Sequence, residues 1–335
     1  MTSLLRRFLV TLRNYVLLPV YNDWQCLPLL LKEIDLAFQS INASTSICLV
    51  DDHSTVTPKN FLADASLQSF NAIEQIFYVR LSRNVGHQSA IAIGLHYLSE
   101  RGDCAQIVIM DADGEDKPSD IPRLLAVNSA SEEPCIVFAS RRHRQEGLRF
   151  RVFYGLYKRL LYLLTGYWVD FGNFSVVPAS SLHALTLYNE LWRHYPATVM
   201  GTKLPYQVIP CDRGHRYSGK SHMSLPSLVV HGLQSISLFS HNIAARMLLL
   251  CSALLIFPFL GIIVVVLVRT LTDLAIPGWA SYVTGIMLVA ILQLLALVLL
   301  FAFLILTVPR PAVMGGSSIY KTLIDTIQII GCTHD

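Results

Sequence analysis

Up to about residue 140 the chain alternates short apolar, β-branched runs with stretches of helical spacing. VLLPV (16–20), ICLVDD (47–52), FYVRL (77–81), IVIMDAD (107–113) and CIVFAS (135–140) have the length and composition of strands. Between them, segments such as Trp24 to Phe38 and Gln88 to Leu98 carry apolar residues three and four positions apart, as helices do. Continuously apolar strands roughly 30 residues apart predict a mostly parallel sheet covered on both faces, hence an α/β fold of Rossmann-like type. In such sheets ligands bind beyond the carboxyl ends of the strands.

Beyond Ala244 the pattern changes. Met247 to Val268 is free of charge over about 22 residues, enough at roughly 1.5 Å per residue to cross a hydrocarbon core of about 30 Å. Leu274 to Pro309 is also uncharged, and its stretch from about Tyr282 to Val308 predicts a second helix after the turn-like Ile276-Pro277-Gly278. The expected organisation is a large domain over 1–224, a juxtamembrane segment over 225–243, a two-helix transmembrane hairpin within 244–309, and a tail over 310–335. Leu225 to Phe239 has helical spacing and reads either as an interfacial helix or as an ordinary packed one. In the tail, IYKTLIDTIQII predicts a short helix. The opening MTSLLRRFLVTLRNYVLLPVYN has the arginines and leucines of a signal peptide, but Arg13 interrupts the apolar run and no small-residue cleavage site follows. It reads as a short amphipathic lead-in to the first strand.

Composition sharpens this picture. Hydrophobic residues make up 53% of the 335 and charged residues 15%, which excludes disorder. Of the 26 basic and 23 acidic residues only seven lie beyond Ile243, so the chain is two materials joined end to end. A net charge of +3 without a long basic run gives no support for nucleic-acid binding. The seven cysteines, Cys26, Cys48, Cys104, Cys135, Cys211, Cys251 and Cys332, never form a CxxC pair, which points to a reducing compartment rather than to a disulfide framework or a zinc site. Lys220, Arg246, Arg310 and Lys321 flank the hairpin on the side of the large domain, whereas the connecting loop holds Arg269 and Asp273. That bias places the large domain in the cytoplasm, at the inner membrane.

The strand ends carry the candidate chemistry. They read Pro19-Val20-Tyr21-Asn22-Asp23, Asp51-Asp52-His53-Ser54, Ser82-Arg83-Asn84-Val85-Gly86-His87 and Asp111-Ala112-Asp113-Gly114-Glu115-Asp116. No GxGxxG turn or Walker A loop is present, so a dinucleotide or P-loop reading loses its main support. On an extended backbone Asp111 and Asp113 point the same way and Glu115 continues the alternation, a set of hard oxygen donors suited to Mg²⁺ or Mn²⁺. By composition alone the same stretch also reads as a solvated acidic turn.

The order PVYND, VDDHST, LSRNVGHQSAIAIGL, MDADGEDKP resembles the nucleotide-diphosphosugar glycosyltransferases of family 2. The closer likeness is to the polyprenyl-phosphate branch, which includes dolichol-phosphate mannosyltransferase and bacterial undecaprenyl-phosphate glucosyltransferases. FASRRHRQEG and HRYSGKSHMSL extend the likeness to just before the apolar helices. The resemblance implies a GT-A domain and an inverting transfer of sugar from a nucleotide-diphosphosugar to a polyprenyl phosphate. It implies nucleotide-sugar contacts from Pro19, Tyr21, Asp23, Asp51, Asp52, Arg83, Asn84, Asp111 and Arg144. It further implies metal ligation by Asp111, Asp113 and Glu115, the last standing where the family usually has Gln. Asp113, Arg141, Arg216 and Lys220 are implied at the reacting phosphates, and Arg216, Tyr217, Lys220 and Ser221 at the acceptor phosphate. Guanidinium forks suit such phosphates. A membrane, a lipid acceptor and a homo-oligomer are the implied partners, and UDP- and GDP-sugars all stay open as donors.

One departure bears on mechanism. Where many members carry an aspartate proposed as base, this chain has Phe171-Gly172-Asn173-Phe174-Ser175. An amide cannot take a proton, and a hydroxyl acceptor normally needs a base. A phosphate acceptor does not, since its second pKa is about 6. The alternatives are a decayed membrane scaffold or a family 2 transferase with another acceptor, with Asp170 and Asp116 as other nearby acids. A processive polysaccharide synthase is disfavoured, because no Gln-x-x-Arg-Trp motif is present. His53, His87, His96, His143, His194, His215, His222, His231 and His241 show no zinc spacing and read as loop or core residues. Trp168, Trp192 and Tyr195 read as packing residues rather than a sugar platform.

Overall fold

The computed structural model describes residues 12–56, 70–130, 133–141, 155, 159, 162–167, 171–202, 204–212, 214–218, 238–272, 278–307 and 319–331. The lead-in before residue 12, nearly all of the 225–239 segment, and Arg144, Trp168, Lys220 and Ser221 fall outside the described residues. The chain divides into two compact units. One comprises Met1–Gly147, Val169–Ser235 and Pro311–Asp335, and the other Leu148–Trp168 and Ile236–Arg310.

The first unit is built on an eight-stranded sheet. Its strands are β1 Arg13–Val20, β2 Thr45–Asp51, β3 Ile73–Leu81, β4 Cys104–Ile109, β5 Ile136–Arg141, β6 Phe171–Pro178, β7 Tyr206–Cys211 and β8 Ile324–Gly331. Their order is β7-β5-β6-β4-β1-β2-β3-β8. Parallel pairing joins β1 to β2 and β4, β2 to β3, and β5 to β7. Antiparallel pairing brings in β6 beside β4 and β5, and β8 beside β3. The five runs read from the sequence are the first five strands, each begun one to four residues off the expected start.

The sheet is covered on both faces, which is why its strands are apolar throughout. Val16, Leu18 and Val20 point into one core with Leu27, Leu30, Leu31, Ile34 and Phe38 of α1 (Leu27–Gln39) and with Ile121 and Leu124 of α3 (Ile121–Ala130). Tyr15 and Leu17 point into the other, with Ile91, Leu95 and Leu98 of α2 (His87–Arg101). Helix α2 lies so close to β1 that a Cβ on Gly94 would stand 2.3 Å from a Leu17 methyl. α4 (Ala179–Thr186) and α5 (Tyr195–Thr202) complete this layer, and Tyr195 is fully buried there as the packing residue expected.

The tail differs from expectation. IYKTLIDTIQII does not form one helix: α9 spans only Ile319–Leu323, and Ile324–Gly331 is β8. Four of the eight residues after Leu323 are isoleucine and a fifth is Thr326, a β-branched composition that pairs well on a strand edge. They take the open edge of β3, in register from Leu81↔Ile324 to Gln75↔Gly331.

The second unit contains α6 (Ser240–Leu254), α7 (Ile256–Leu271) and α8 (Trp279–Thr307), with α8 packed along α6 and α7. The first expected span is longer than its uncharged core and is broken at Leu255. Pro258 accounts for the break, because it has no N–H for the Leu254 carbonyl and its ring crowds that oxygen. Ser240–Leu271 and Trp279–Thr307 are both long and apolar enough to cross a membrane. Arg246, at the surface of this unit, donates to the carbonyls of Tyr162 at 3.2 Å and Leu163 at 2.7 Å.

Candidate active site

Strand order places the candidate site. From β1 the chain moves outward to β2 and β3, then returns to lay β4 on the other side of β1. The carboxyl ends of β1 and β4 thus flank a topological switch point, where open α/β sheets form a crevice. Their pairing ends at Leu17↔Ile109, and the two chains part beyond it. Pro19 sits inside a central strand without cost. Leu17 accepts from Met110 N on the β4 side, Pro19 faces the same side, and there the ladder has already ended.

The loops that follow the strands are stitched together by short polar side chains. Asn22, in the left-handed region at φ 61°, accepts through Oδ1 from Thr55 N at 3.0 Å and Val56 N at 3.2 Å. Asp51 is buried, and its oxygens accept from Ser54 N and the Tyr78 hydroxyl, each at 2.8 Å. Asp52, also buried, accepts from Val85 N at 2.7 Å and Gly86 N at 2.9 Å. Burial pushes its carboxyl up from the ordinary value, and those two amide donors work against the rise. Both aspartates expected at the nucleotide therefore brace the rim. Tyr21 is exposed beside them, and Arg83 and Asn84 line a separate open cleft with Val85, Ser89, Trp192 and Leu323. Arg141 ends β5.

Asp111 and Asp113 emerge from β4 into the crevice. Segment 214–218, after β7, lies across them like a strap. Gly214 N donates to Glu115 O at 2.8 Å and Tyr217 N to Asp113 O at 3.0 Å. Arg216 forks, one nitrogen 3.0 Å from Asp113 Oδ2 and the other 2.7 Å from Asp23 Oδ1. The Tyr217 ring covers Gly114, whose φ is +86°, and its hydroxyl donates to Glu33 of α1. Residues about a hundred positions apart are thereby joined. Burial raises the Asp113 carboxyl from its ordinary value, neighbouring Asp111 and Glu115 raise it further, and the Glu115 N–H and Arg216 oppose them. Asp116 is buried and accepts from Asp111 N at 3.0 Å, which curls the loop back on itself.

Two residues absent from the sequence-based set join this site. His87 Nε2 lies 3.1 Å from Asp111 Oδ1, and Asn173 Nδ2 lies 3.0 Å from His87 Nε2 and 3.4 Å from the same Asp111 oxygen. Desolvation in the crevice pushes the imidazole down, but the Asp111 carboxylate, with Asp116 and Asp113 beyond it, holds it above its ordinary value. His87 therefore does not belong with the bland loop histidines. Only its position after a strand end, in SRNVGHQ, signalled this in the sequence.

The donor set suits a hard divalent cation. Asp111 and Asp113 are neighbouring carboxylates, and magnesium is commonly held by one or two such groups together with substrate phosphates. No group of three or more His, Cys, Asp or Glu forms a metal cage among the described residues. Metal ligation by Asp111, Asp113 and Glu115 remains what the resemblance implies, with Asp111 and Asp113 on the crevice side of the β4 loop.

Residues 15–181 match the family model described as Glycosyl transferase family 2, a span from β1 through the start of α4 that holds the carboxylate loop, His87 and Asn173. Among solved structures, glucosyl-3-phosphoglycerate synthase from Mycobacterium tuberculosis, in complex with Mn²⁺, UDP-glucose and phosphoglyceric acid, is 17% identical. The match covers 70% of this chain and 79% of that one, at a TM-score of 0.45. S. aureus TarS 1-349 is 13% identical over 71% of this chain and 66% of that one, at a TM-score of 0.42. With the mixed, mostly parallel sheet and the acidic crevice at its switch point, the family match makes this chain a glycosyltransferase, carrying a family 2 domain of GT-A fold over residues 15–181.

Proposed function

We propose that the protein transfers a sugar from a nucleotide-diphosphosugar to the phosphate of a polyprenol, producing a lipid-linked sugar donor at the cytoplasmic face of the inner membrane. Asn173 carries the reading. An amide stands where a base would be required, bonded into the site with its NH₂ toward Asp111. A hydroxyl acceptor would need that base, whereas a phosphomonoester with a second pKa of about 6 is already a dianion near neutrality. The two helices long and apolar enough to span a bilayer support an acceptor that is itself a lipid.

In this reading the acceptor phosphate oxygen attacks the anomeric carbon as the bond to the donor diphosphate breaks, and the configuration inverts. A divalent ion, Mg²⁺ or Mn²⁺, held by Asp111 and Asp113 supplies charge neutralisation at the leaving diphosphate. Arg216 offers a planar fork of donors beside them, suited to an incoming phosphate. Tyr21, Asp23, Arg83 and Asn84 are assigned to the nucleotide by resemblance, as Arg141, Arg144, Tyr217, Lys220 and Ser221 are to the phosphates.

The test is nucleoside diphosphate release by detergent-purified protein across UDP- and GDP-sugars, with and without undecaprenyl phosphate and Mn²⁺ or Mg²⁺. Release from one donor that needs both lipid phosphate and metal is the expected result. Equal release with a soluble hydroxyl acceptor in place of the lipid phosphate would overturn the acceptor assignment.

A further inference from the structure

Around Asp111 runs a hydrogen-bond relay whose direction can be read from one end. Tyr195 contributes a backbone N–H, which can only donate, and it lies 2.8 Å from Gln88 Oε1. The Gln88 side chain is buried, at 7% exposure, so its Nε2 must donate in turn, and Asn173 Oδ1 receives it at 3.0 Å. With its oxygen taken, Asn173 turns Nδ2 to Asp111 Oδ1 as a donor; His87 Nε2 lies 3.0 Å from that amide, and because it gives its own N–H to Asp111 it is a neighbouring donor rather than an acceptor of the amide. His87 reaches the same Asp111 oxygen from the start of α2. An aspartate at 173 could still accept from Gln88 but would turn a second carboxylate toward Asp111.

We propose that Asn173 and His87 are positioning residues for Asp111, the relay from Tyr195 through Gln88 fixing that carboxylate in the orientation a divalent cation requires. The inference rests on the metal reading above and adds to it: Asn173 is a built donor rather than the relic of a lost base. Outer partners of metal ligands act this way, orienting the ligand without touching the ion.

The experiment is a Mn²⁺ titration of the full-length detergent-solubilised protein with UDP present, following free Mn²⁺ by electron paramagnetic resonance. Parent, Asn173→Ala, His87→Ala and His87→Gln are compared, with thermal melts of each. Both alanine variants should bind Mn²⁺ about 10- to 100-fold more weakly. His87→Gln, which keeps a nitrogen donor near the position of Nε2, should recover most of the loss, a rescue that a merely structural histidine would not show. His87 is 43% exposed, so its variants stay informative even where Asn173→Ala melts early. Parent-like affinity in both alanine variants overturns the inference while leaving the metal reading intact. A folded parent that takes up no Mn²⁺ overturns the metal reading and this inference with it.

Discussion

The Arg216 guanidinium lies 3.0 Å from Asp113 and 2.7 Å from Asp23, so one cation joins the segments that follow β1, β4 and β7. Removing it leaves two carboxylates facing each other in a crevice and takes away the donor fork. Arg216→Ala should lower kcat/KM in the release assay on the order of 10²-fold, the usual cost of a lost charge-stabilising donor. Arg216→Lys should restore only part, because an ammonium cannot bridge both carboxylates in the fork's geometry. Steady-state kinetics on the three proteins decides it.

Gly114 is held under Tyr217, and a Cβ there would stand 2.4 Å from the ring at a φ of +86°. Gly114→Ala should cost about 1–2 kcal/mol in backbone strain alone and more through displacement of the strap. Tyr217→Ala removes the clash but not the strain. The double variant should therefore be more stable than the sum of the single losses by about 0.5–3 kcal/mol, measured by denaturant unfolding.

Far from the site, Asp103 predicts an acid dependence of stability. Burial pushes its carboxyl up, but hydrogen bonds from Arg101 at 2.8 Å and the Tyr15 hydroxyl at 2.9 Å outweigh that and hold it below its ordinary value. A carboxyl depressed in the folded state contributes stability that is present above its unfolded value of 3.8 and lost as the pH falls through the folded one. Asp103→Asn should thus be less stable at neutral pH and lose less on acidification below about pH 4. Melting curves of parent and variant across that range should converge; curves that stay parallel would remove Asp103 from the account.

The tail gives a contrast between packing and charge. Tyr320 is 2% exposed and stacks on His96 at 5.6 Å, whereas Lys321 reaches Glu100 at 2.7 Å with its side chain 60% exposed. Tyr320→Ala should cost about 3 kcal/mol, as buried aromatics do, and Lys321→Ala less than about 1 kcal/mol, as exposed ion pairs do. Thermal melts of the two variants, made side by side, should separate clearly.

The elements that were legible in the sequence are those with a local cause. Residues 16–20, 47–52 and 107–113 read as strands because a sheet covered on both faces demands apolar residues at every position. The acidic rim could be found because it follows those strands directly. His87 was missed because a lone histidine after a strand has no pattern of its own; only β4 and α2, brought side by side, put it 3.1 Å from Asp111. The tail differs because eight residues with four isoleucines spaced among polar ones fit a short helix or a strand equally until an open edge is available.

By itself the sequence determined what depends on composition and near neighbours: an α/β domain, two segments apolar enough to cross a membrane, and carboxylates at the ends of strands. The tertiary structure alone decided which of those carboxylates work together. Asp51 and Asp52 spend their oxygens on Ser54, on Tyr78 of β3 and on the amides of the loop after β3, while Asp23, Asp113 and Arg216 meet across nearly two hundred residues. The reason is that hydrogen-bond partners are set by distances of about 3 Å, and strand order, which no local pattern encodes, decides which chain ends come that close.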